Sequence, residues 1–148
     1  MLFGEVADIM KYMRTIVEIT NLTKKRISSD FVKKVVRKTA KLAGADLDCL
    51  EISIVFVGEA EIRKINQKYR QKNKSTDVFS LRLDLEYNKK RIIQGEIILC
   101  PDIISKNARE NKVNFSRELI FVLAHGILHV LGWKHGRKMY SLQDKICE

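Results

Sequence analysis

The sequence predicts one α+β domain over residues 1–148, in which helices pack beside a four-stranded mixed sheet. Three observations lead to this prediction. A chain of 148 residues is long enough for one hydrophobic core but would leave two cores marginal. Four short runs have the composition of strands. Between and after them, apolar residues recur at helical spacing, and one of these helical segments carries histidines.

Four segments are predicted to be the strands of the sheet. Thr15–Thr20 alternates along its length and is rich in β-branched residues, and Leu50–Val57 is the clearest strand-like run. Val78–Leu83 and Ile92–Cys100 are predicted to be two further strands. The charged segment between them, Asp84–Arg91, is predicted to be their turn.

The first predicted helix has one apolar and one basic face. Ser28 or Ser29 can serve as its N-cap. Its apolar face consists of Phe31, Val32, Val35, Val36 and Ala40, and its opposite face of Lys33, Lys34, Arg37, Lys38 and Lys41. A solvated surface and an RNA-facing stripe are both compatible with this basic face, so both interpretations stay open.

Three further helical segments complete most of the pattern. A second helix is predicted from Glu59 to about Arg70, followed by a polar loop over residues 71–76. Pro101 suits the first turn of a third helix, where no backbone N–H is needed. A final amphipathic turn or two is predicted around Met139, Leu142 and Ile146.

The fourth predicted helix is the one that carries histidines. Ser116 is its predicted N-cap, and Phe115 before the cap and Ile120 after it can form a hydrophobic staple. The helix is predicted to run to about Leu131, because Gly132 is a typical residue at a helix end.

The charge balance favours a polyanionic partner. Lysine and arginine total 28 against 18 acidic residues, so the net charge is +10. Such an excess attracts nucleic acids, although a basic protein can also owe its charge to solubility alone.

Cysteine usage and the start of the sequence indicate a cytoplasmic protein. Cys49, Cys100 and Cys147 form no CxxC pair, so neither a disulfide framework nor a cysteine zinc site is predicted. Residues 1–13 contain Glu5 and Asp8 and lack the basic opening of a targeting signal. No apolar run approaches the roughly 18 to 20 residues that a membrane-spanning helix needs, so we expect no membrane insertion.

All three histidines of the chain lie in the segment AHGILHVLGWKH. His125 and His129 are four residues apart, so both imidazoles project from one helix face and can bind one ion at about 2.0 to 2.1 Å. After Gly132 the chain can turn back to bring in His135 as a third ligand. Random placement would give this spacing in roughly one case in four thousand. The alternative is that the histidines are ordinary core or surface residues.

Three imidazoles without a fourth protein ligand predict an open catalytic zinc site, because structural zinc is normally closed by four protein ligands. The same spacing occurs in the zinc peptidases that carry HExxHxxGxxH, so the predicted helix is zincin-like. In this chain Gly126 occupies the position of their general-base glutamate. A peptidase of that type would therefore lack its proton acceptor.

The segment HGILHVLGWKH resembles the HGxLHLxGxDH motif of the YbeY family of metal-dependent endoribonucleases, which act on single-stranded RNA and are linked to ribosomal RNA maturation. The resemblance covers most of the chain. The other segments similar to the family's pattern are Asn66, Tyr69 and Arg70, then Thr76-Asp77-Val78, Gly95-Glu96-Ile97, Arg117-Glu118-Leu119 and Met139–Gln143.

This resemblance implies a zinc ion on His125, His129 and His135 and a catalytically required arginine at Arg70. It further implies RNA as the substrate, with ribosomal RNA and ribosomal particles as partners, and no small-molecule cofactor. The chemistry of arginine agrees, because a guanidinium can meet a phosphate with two parallel hydrogen bonds and offset developing charge. Without the family match, a surface arginine at a helix end is the better interpretation of Arg70.

Two other functions stay open from the sequence. A noncatalytic RNA-binding or ribosome-binding assembly factor would use the same basic surface without cutting RNA. A zinc metallopeptidase would use the same histidines, but the glutamate that it needs is absent.

The chain also departs from the family's pattern. Lys134 stands where an acidic residue is usual, Leu81-Arg82 lacks the usual proline, and Gly136-Arg137-Lys138 replaces a longer acidic loop. Each departure makes the mouth of the site more positive. If the missing carboxylate normally orients a ligand, metal affinity is lowered here.

Four further residues are candidates for the site. Glu96 and Glu118 are candidate proton acceptors, although Glu118 can equally favour the helix dipole. Thr76 and Asp77 are candidates for substrate binding, and an Asx-type turn before the strand explains them equally well.

Overall fold

The structure is a computed structural model and describes residues 14–44, 48–71 and 77–148. The strands are β1 (Arg14–Asn21), β2 (Cys49–Phe56), β3 (Val78–Tyr87) and β4 (Lys90–Leu99). The helices are α1 (Ser29–Ala43), α2 (Glu59–Arg70), α3 (Pro101–Glu110), α4 (Phe115–Val130) and α5 (Arg137–Cys147). The expectations for residues 1–13, and for Thr76 and most of the predicted loop at residues 71–76, lie outside the described residues.

The four strands form one mixed sheet in the order β1-β2-β4-β3. The first three strands in this order run parallel, and β3 pairs antiparallel with β4. In the register of the parallel part, Ile52 lies opposite Val17 on one side and Gly95 on the other. The predicted α+β class with a four-stranded mixed sheet is therefore confirmed.

The main core lies between one face of this sheet and the helices. Alternate residues of β2 point into it, namely Leu50, Ile52, Ile54 and Phe56, and all of them are buried. They pack against apolar residues of α1 and α4, such as Val36 and Leu123. Burying each such side chain stabilises the fold by about 1.5 to 3 kcal/mol before entropy is counted.

In the part of the chain that the structure describes, helices cover the second face of the sheet at one end only. There Ile62 of α2 packs with Phe79 and Ile98. The uncovered end carries exposed residues on β1 and β3, including Ile16 and Leu83.

The predicted N-cap is confirmed for α1 and is wrong for α4. Ser28 is the N-cap of α1, because its hydroxyl accepts a hydrogen bond from the backbone N–H of Phe31 at 3.2 Å. The predicted N-cap of α4, Ser116, is wrong. Asn114 caps this helix by accepting from the N–H of Arg117 at 2.8 Å. Phe115 is consequently inside the helix, so the predicted staple is wrong as well.

The hairpin of β3 and β4 is longer than predicted. Both strands continue through the charged segment, and Tyr87 pairs with Lys90 at its end. The turn consists of Asn88 and Lys89, both at positive φ, 52° and 63°. Two consecutive residues at positive φ are typical of a tight hairpin turn whose twist matches that of the strands. The prediction that Asp84–Arg91 forms the turn is therefore wrong.

Helix α4 crosses the sheet at a glycine. A Cβ on Gly95 would lie 2.5 Å from Cγ1 of Val130, so only glycine permits this approach of helix and strand. Beyond the helix, Gly132 adopts a φ of 93°, which an L side chain rarely adopts. Arg82 donates from Nη1 to the carbonyl oxygen of Val130 at 3.0 Å. These contacts fix the carboxyl end of α4 beside β3 and β4.

The three cysteines are free thiols. Cys100 is buried, and Cys49 and Cys147 are half-buried. Among the residues that the structure describes, no helix combines the length and the apolar character needed to cross a lipid bilayer.

Candidate metal centre

Three imidazole nitrogens converge at the carboxyl end of α4. The Nε2 atom of His129 lies 3.0 Å from that of His125 and 2.9 Å from that of His135, and the third pair is 3.2 Å apart. Nitrogens bound at about 2.0 to 2.1 Å to one tetrahedral ion are roughly 3.3 Å from each other. The three side chains can therefore hold a metal ion with little adjustment.

The backbone after α4 explains how His135 reaches the other two histidines. The N–H of Gly132 bonds to the carbonyl of His129 at 3.0 Å, and the N–H of Trp133 bonds to that of Leu128 at 2.9 Å. Both bonds fold the chain back over the last turn of the helix, as expected after a glycine at positive φ. His135 lies two residues after Trp133, and its ring faces the end of α4.

Hydrogen bonding selects the ring nitrogen of His129 that can bind a metal. Its Nδ1 lies 3.1 Å from the carbonyl oxygen of Trp133 and donates to it, since a carbonyl can only accept. In the neutral ring, Nε2 then carries no proton and presents a lone pair toward the other histidines. Metal-bound histidines commonly have this arrangement.

Gln143 of α5 is the corresponding partner of His125. Its side chain is fully buried, and its Nε2 donates to the carbonyl oxygen of Phe121 at 3.2 Å. The carboxamide oxygen Oε1 is buried without a hydrogen-bond partner among the described residues, and the side chain lies close enough to His125 to raise the pKa of that imidazole. Gln143 therefore ties α5 to α4 beside one of the three imidazoles.

The surroundings keep two of the rings uncharged at neutral pH. Burial lowers the pKa of His125 below its usual 6.5, the neighbouring His129 lowers it further, and the interaction with Gln143 opposes both effects. Burial also lowers the pKa of His129; the Trp133 carbonyl opposes this shift, and the charges of His135 and Arg70 add to it. Neutral imidazole is the form that binds metal, so the site suits a cation.

The histidines open into a pocket of about 260 Å³. The pocket is lined by Arg70, Asp77, Val78, Ser80, Phe121, Val122, His125, Gly126, His129 and His135. Arg70 comes from the end of α2, and its guanidinium carbon lies 4.7 Å from the ring centre of Phe79. This cation–π contact holds the charge at the edge of the pocket. The structure thus brings together all four residues that the sequence nominated for metal binding and catalysis, and their roles stay predictions.

The carboxylate that lines this pocket is Asp77, immediately before β3. Its Oδ2 accepts a long hydrogen bond from Nδ2 of Asn107 at 3.4 Å. The two glutamates considered from the sequence lie elsewhere. Glu96 is exposed on the uncovered part of the sheet, and Glu118 is buried and accepts from Nδ2 of Asn111 at 3.2 Å. Neither glutamate lines the pocket of the histidines.

Gly126 packs where a zinc peptidase carries its glutamate. A Cβ at this position would lie 3.1 Å from Cγ2 of Ile97 and 3.3 Å from Cγ2 of Val78. A larger side chain would press against β3 and β4. The close contact of α4 with the sheet therefore explains why glycine follows His125 in this chain.

Comparison with known proteins identifies the family. The family model for Endoribonuclease YbeY matches residues 17–148. The chain is 38% identical to Endoribonuclease YbeY of Persephonella marina over 129 residues, which cover 82% of this chain and 83% of that protein. It is 35% identical to Endoribonuclease YbeY of Thermodesulfovibrio yellowstonii, over 90% of this chain and 96% of that protein.

A solved structure has the same fold. The solution structure of TM1509 from Thermotoga maritima matches with a TM-score of 0.60 and 28% identity, covering 89% of this chain and 87% of that one. Fold, histidine cluster and sequence therefore lead to one assignment. The chain belongs to the YbeY family of endoribonucleases.

Proposed function

We propose that this protein is a zinc-dependent endoribonuclease that hydrolyses phosphodiester bonds in single-stranded RNA. The observation that carries the proposal is that three imidazoles with converging Nε2 atoms and one guanidinium line the same pocket. Imidazoles bind a divalent cation, and a guanidinium binds an anionic phosphate. Hydrolysis of a phosphodiester at a divalent ion uses both kinds of group. The relatives' name, Endoribonuclease YbeY, supports the same activity.

The histidines and Arg70 have different parts in the proposed reaction. His125, His129 and His135 would hold the ion, which supplies a water of lowered pKa, about 7, or polarises a phosphoryl oxygen. Arg70 binds the scissile phosphate and offsets the negative charge that develops in the transition state. Its contact with Phe79 limits the freedom of the guanidinium before RNA binds.

Asp77 is the proposed proton acceptor. It lines the pocket with the histidines, whereas Glu96 and Glu118 do not. The neutral carboxamide of Asn107 makes a long hydrogen bond of 3.4 Å to this carboxylate. A carboxylate in this position can take the proton of an attacking water, which is how a general base contributes to hydrolysis.

The proposed substrate follows from charge and from the family. A chain with a net charge of +10 attracts the polyanion RNA by long-range electrostatics. Zinc is the proposed metal because three imidazoles with an open position suit catalytic zinc, although nickel, copper and cobalt accept the same ligands. We further propose that the protein acts in ribosomal RNA maturation on ribosomal particles in the cytoplasm. The family resemblance supports this role.

Two substitutions test the proposal together. His129→Ala removes a ligand, so we expect it to abolish zinc binding and RNA cleavage alike. The Arg70→Ala variant should keep its zinc but lose RNA cleavage, because Arg70 binds the scissile phosphate and not the metal ion. Zinc content is measured by elemental analysis and cleavage by gel electrophoresis of a single-stranded RNA.

The same experiment separates the other candidates. A noncatalytic binding factor would bind RNA equally well after His129→Ala and would leave it whole in every variant. A zinc peptidase would digest unfolded casein in a zinc-dependent way. If the purified protein holds no metal and cuts no RNA when zinc is supplied, the proposed activity is wrong.

A further inference from the structure

Two exposed aromatic side chains lie next to the histidine cluster. Phe121 of α4 is 37% exposed and Tyr140 of α5 is 46% exposed. Single exposed apolar side chains are common, but two exposed aromatic rings beside one polar site are typical of a binding surface. Phe121 lies outside the segments that carried the family resemblance, whereas Tyr140 belongs to the closing segment Met139–Gln143.

Phe121 belongs to the wall of the pocket itself. It precedes His125 by four residues, so its ring lies on the same helix face about 6 Å along the axis. It lines the 260 Å³ pocket together with Arg70 and the three histidines. The side chain of Gln143 donates to the backbone carbonyl of Phe121, which joins α5 to α4 at this point.

Tyr140 extends the aromatic surface on the other side. Its ring is parallel to that of His135 within 5°, with the ring centres 6.3 Å apart. It lies one helical turn before Gln143, the residue that joins α5 to α4. The two aromatic residues thus lie on two joined helices, Phe121 one turn from His125 and Tyr140 next to His135.

We infer that Phe121 and Tyr140 are stacking platforms for two unpaired nucleobases next to the scissile phosphate. The inference rests on the proposed function, since it places RNA at the metal centre. Every base has an aromatic face, so stacking on phenyl and phenol rings holds RNA without reading its sequence. Bases in a duplex are already stacked on each other and cannot use these rings. Phe121 and Tyr140 therefore select single-stranded RNA.

The test compares RNA with and without bases at defined positions. A fluorescein-labelled single-stranded RNA, and the same RNA with one abasic nucleotide at successive positions, are titrated with the zinc-loaded full chain. Affinity is followed by fluorescence anisotropy in the cold, and a parallel gel shows whether the RNA stays whole. The variants are Phe121→Ala, Tyr140→Ala and the conservative Phe121→Trp and Tyr140→Phe.

The expected result is a loss of affinity that depends on a base. Loss of one stacking contact weakens binding by about fivefold to a hundredfold. Each alanine variant should show this loss on intact RNA and become insensitive to an abasic nucleotide at one position. The Trp and Phe variants should bind like the wild type. Tyr87→Ala is the matched control, because Tyr87 is 70% exposed but lies at the hairpin turn, and it should change nothing.

Other outcomes separate this inference from the proposed function. If the alanine variants retain zinc and bind intact RNA as tightly as the wild type, the stacking role is wrong, even if the RNA is cut. If the wild type binds RNA in a base-dependent way but never cuts it, the stacking role stands and the nuclease proposal falls. If a variant loses zinc, failure of the Trp or Phe variant to restore base-dependent binding overturns the inference.

Discussion

At His129, the chain itself decides which ring nitrogen faces the other histidines. The Trp133 carbonyl accepts the Nδ1 proton, and Trp133 is placed by the same turn that returns His135. One glycine at positive φ therefore serves both the geometry of the third ligand and the tautomer of the second.

Gln143 is the residue whose substitution should most directly weaken the metal site without removing a ligand. Gln143→Leu keeps the volume approximately but removes the acceptor beside His125 and the bond to Phe121. We expect zinc affinity to fall by about tenfold to a hundredfold, as is usual when the partner of a ligand is lost. Competition with a zinc-binding dye measures the affinity. Gln143→Glu retains an acceptor and should retain zinc; a similar loss in both variants would contradict the role.

Asp77→Asn tests the proposed proton acceptor. The amide cannot take a proton, so the rate of RNA cleavage should fall by about a hundredfold or more while zinc content stays unchanged. Glu96→Gln is the matched control, because Glu96 lies on the uncovered part of the sheet and should leave the rate unaltered. Equal rates for Asp77→Asn and the wild type would show that another group accepts the proton.

The difference between predicted and unpredicted residues at the site is one of distance along the chain. His125 and His129 could be paired from the helical period alone, and Gly132 indicated how His135 returns. Asp77, just before β3, and Gln143 of α5 meet the histidines because α4 packs on both elements. No local pattern encodes such a meeting, so the sequence suggested Asp77 only for substrate binding and two glutamates as proton acceptors.

Among the elements, α4 depends most on a single position of the sheet. Its close approach to β4 requires Gly95, where even a methyl group would lie 2.5 Å from Val130. Gly95→Ala should lower the free energy of unfolding by about 1 to 3 kcal/mol, because overpacking shifts the helix. Urea denaturation measures the change. Gly58→Ala meets no atom within 4 Å and should cost less; equal losses would show that packing at Gly95 is unimportant.

The element types were predictable where burial imposes a period. α2 has the bounds expected from its apolar spacing, and β2 alternates between half-buried and buried residues. The far part of β3 is exposed on both faces, so charged residues there carried no strand signal. At the start of α4, Asn114 and Ser116 are both good caps. Phe115 packs against the core from inside the helix, a preference that local sequence does not show.

For the whole molecule, the net charge of +10 predicts RNA binding that weakens steeply with salt. If about six phosphates are contacted, affinity should fall by roughly a few hundredfold between about 50 and 200 mM salt. Anisotropy titrations at several salt concentrations measure the slope of log affinity against log salt. Affinity that is independent of salt would exclude a substantial contribution from phosphate contacts.

The basic face of α1 can be tested with the same titrations. Lys38 is engaged, because its Nζ donates to the carbonyl of Ile146 at 3.0 Å, whereas Lys34 and Arg37 are exposed. If this face contacts RNA, changing Lys34 and Arg37 to Gln should remove about one to two phosphate contacts. The slope of log affinity against log salt should then become correspondingly less steep. The same changes at Lys89 and Lys90, at the hairpin turn, are the control. An unaltered slope would show that the basic face of α1 contacts solvent and not RNA.

The strand order also bears on how the protein folds. The β3–β4 hairpin joins neighbours in the chain through a two-residue turn, whereas α1 separates β1 from its parallel partner β2, and α2 and β3 separate β2 from β4. Pairings between distant segments form slowly, because long loops must close first. Since α4 rests on the completed β4, capture of metal should be a late event in refolding, after the hairpin has formed.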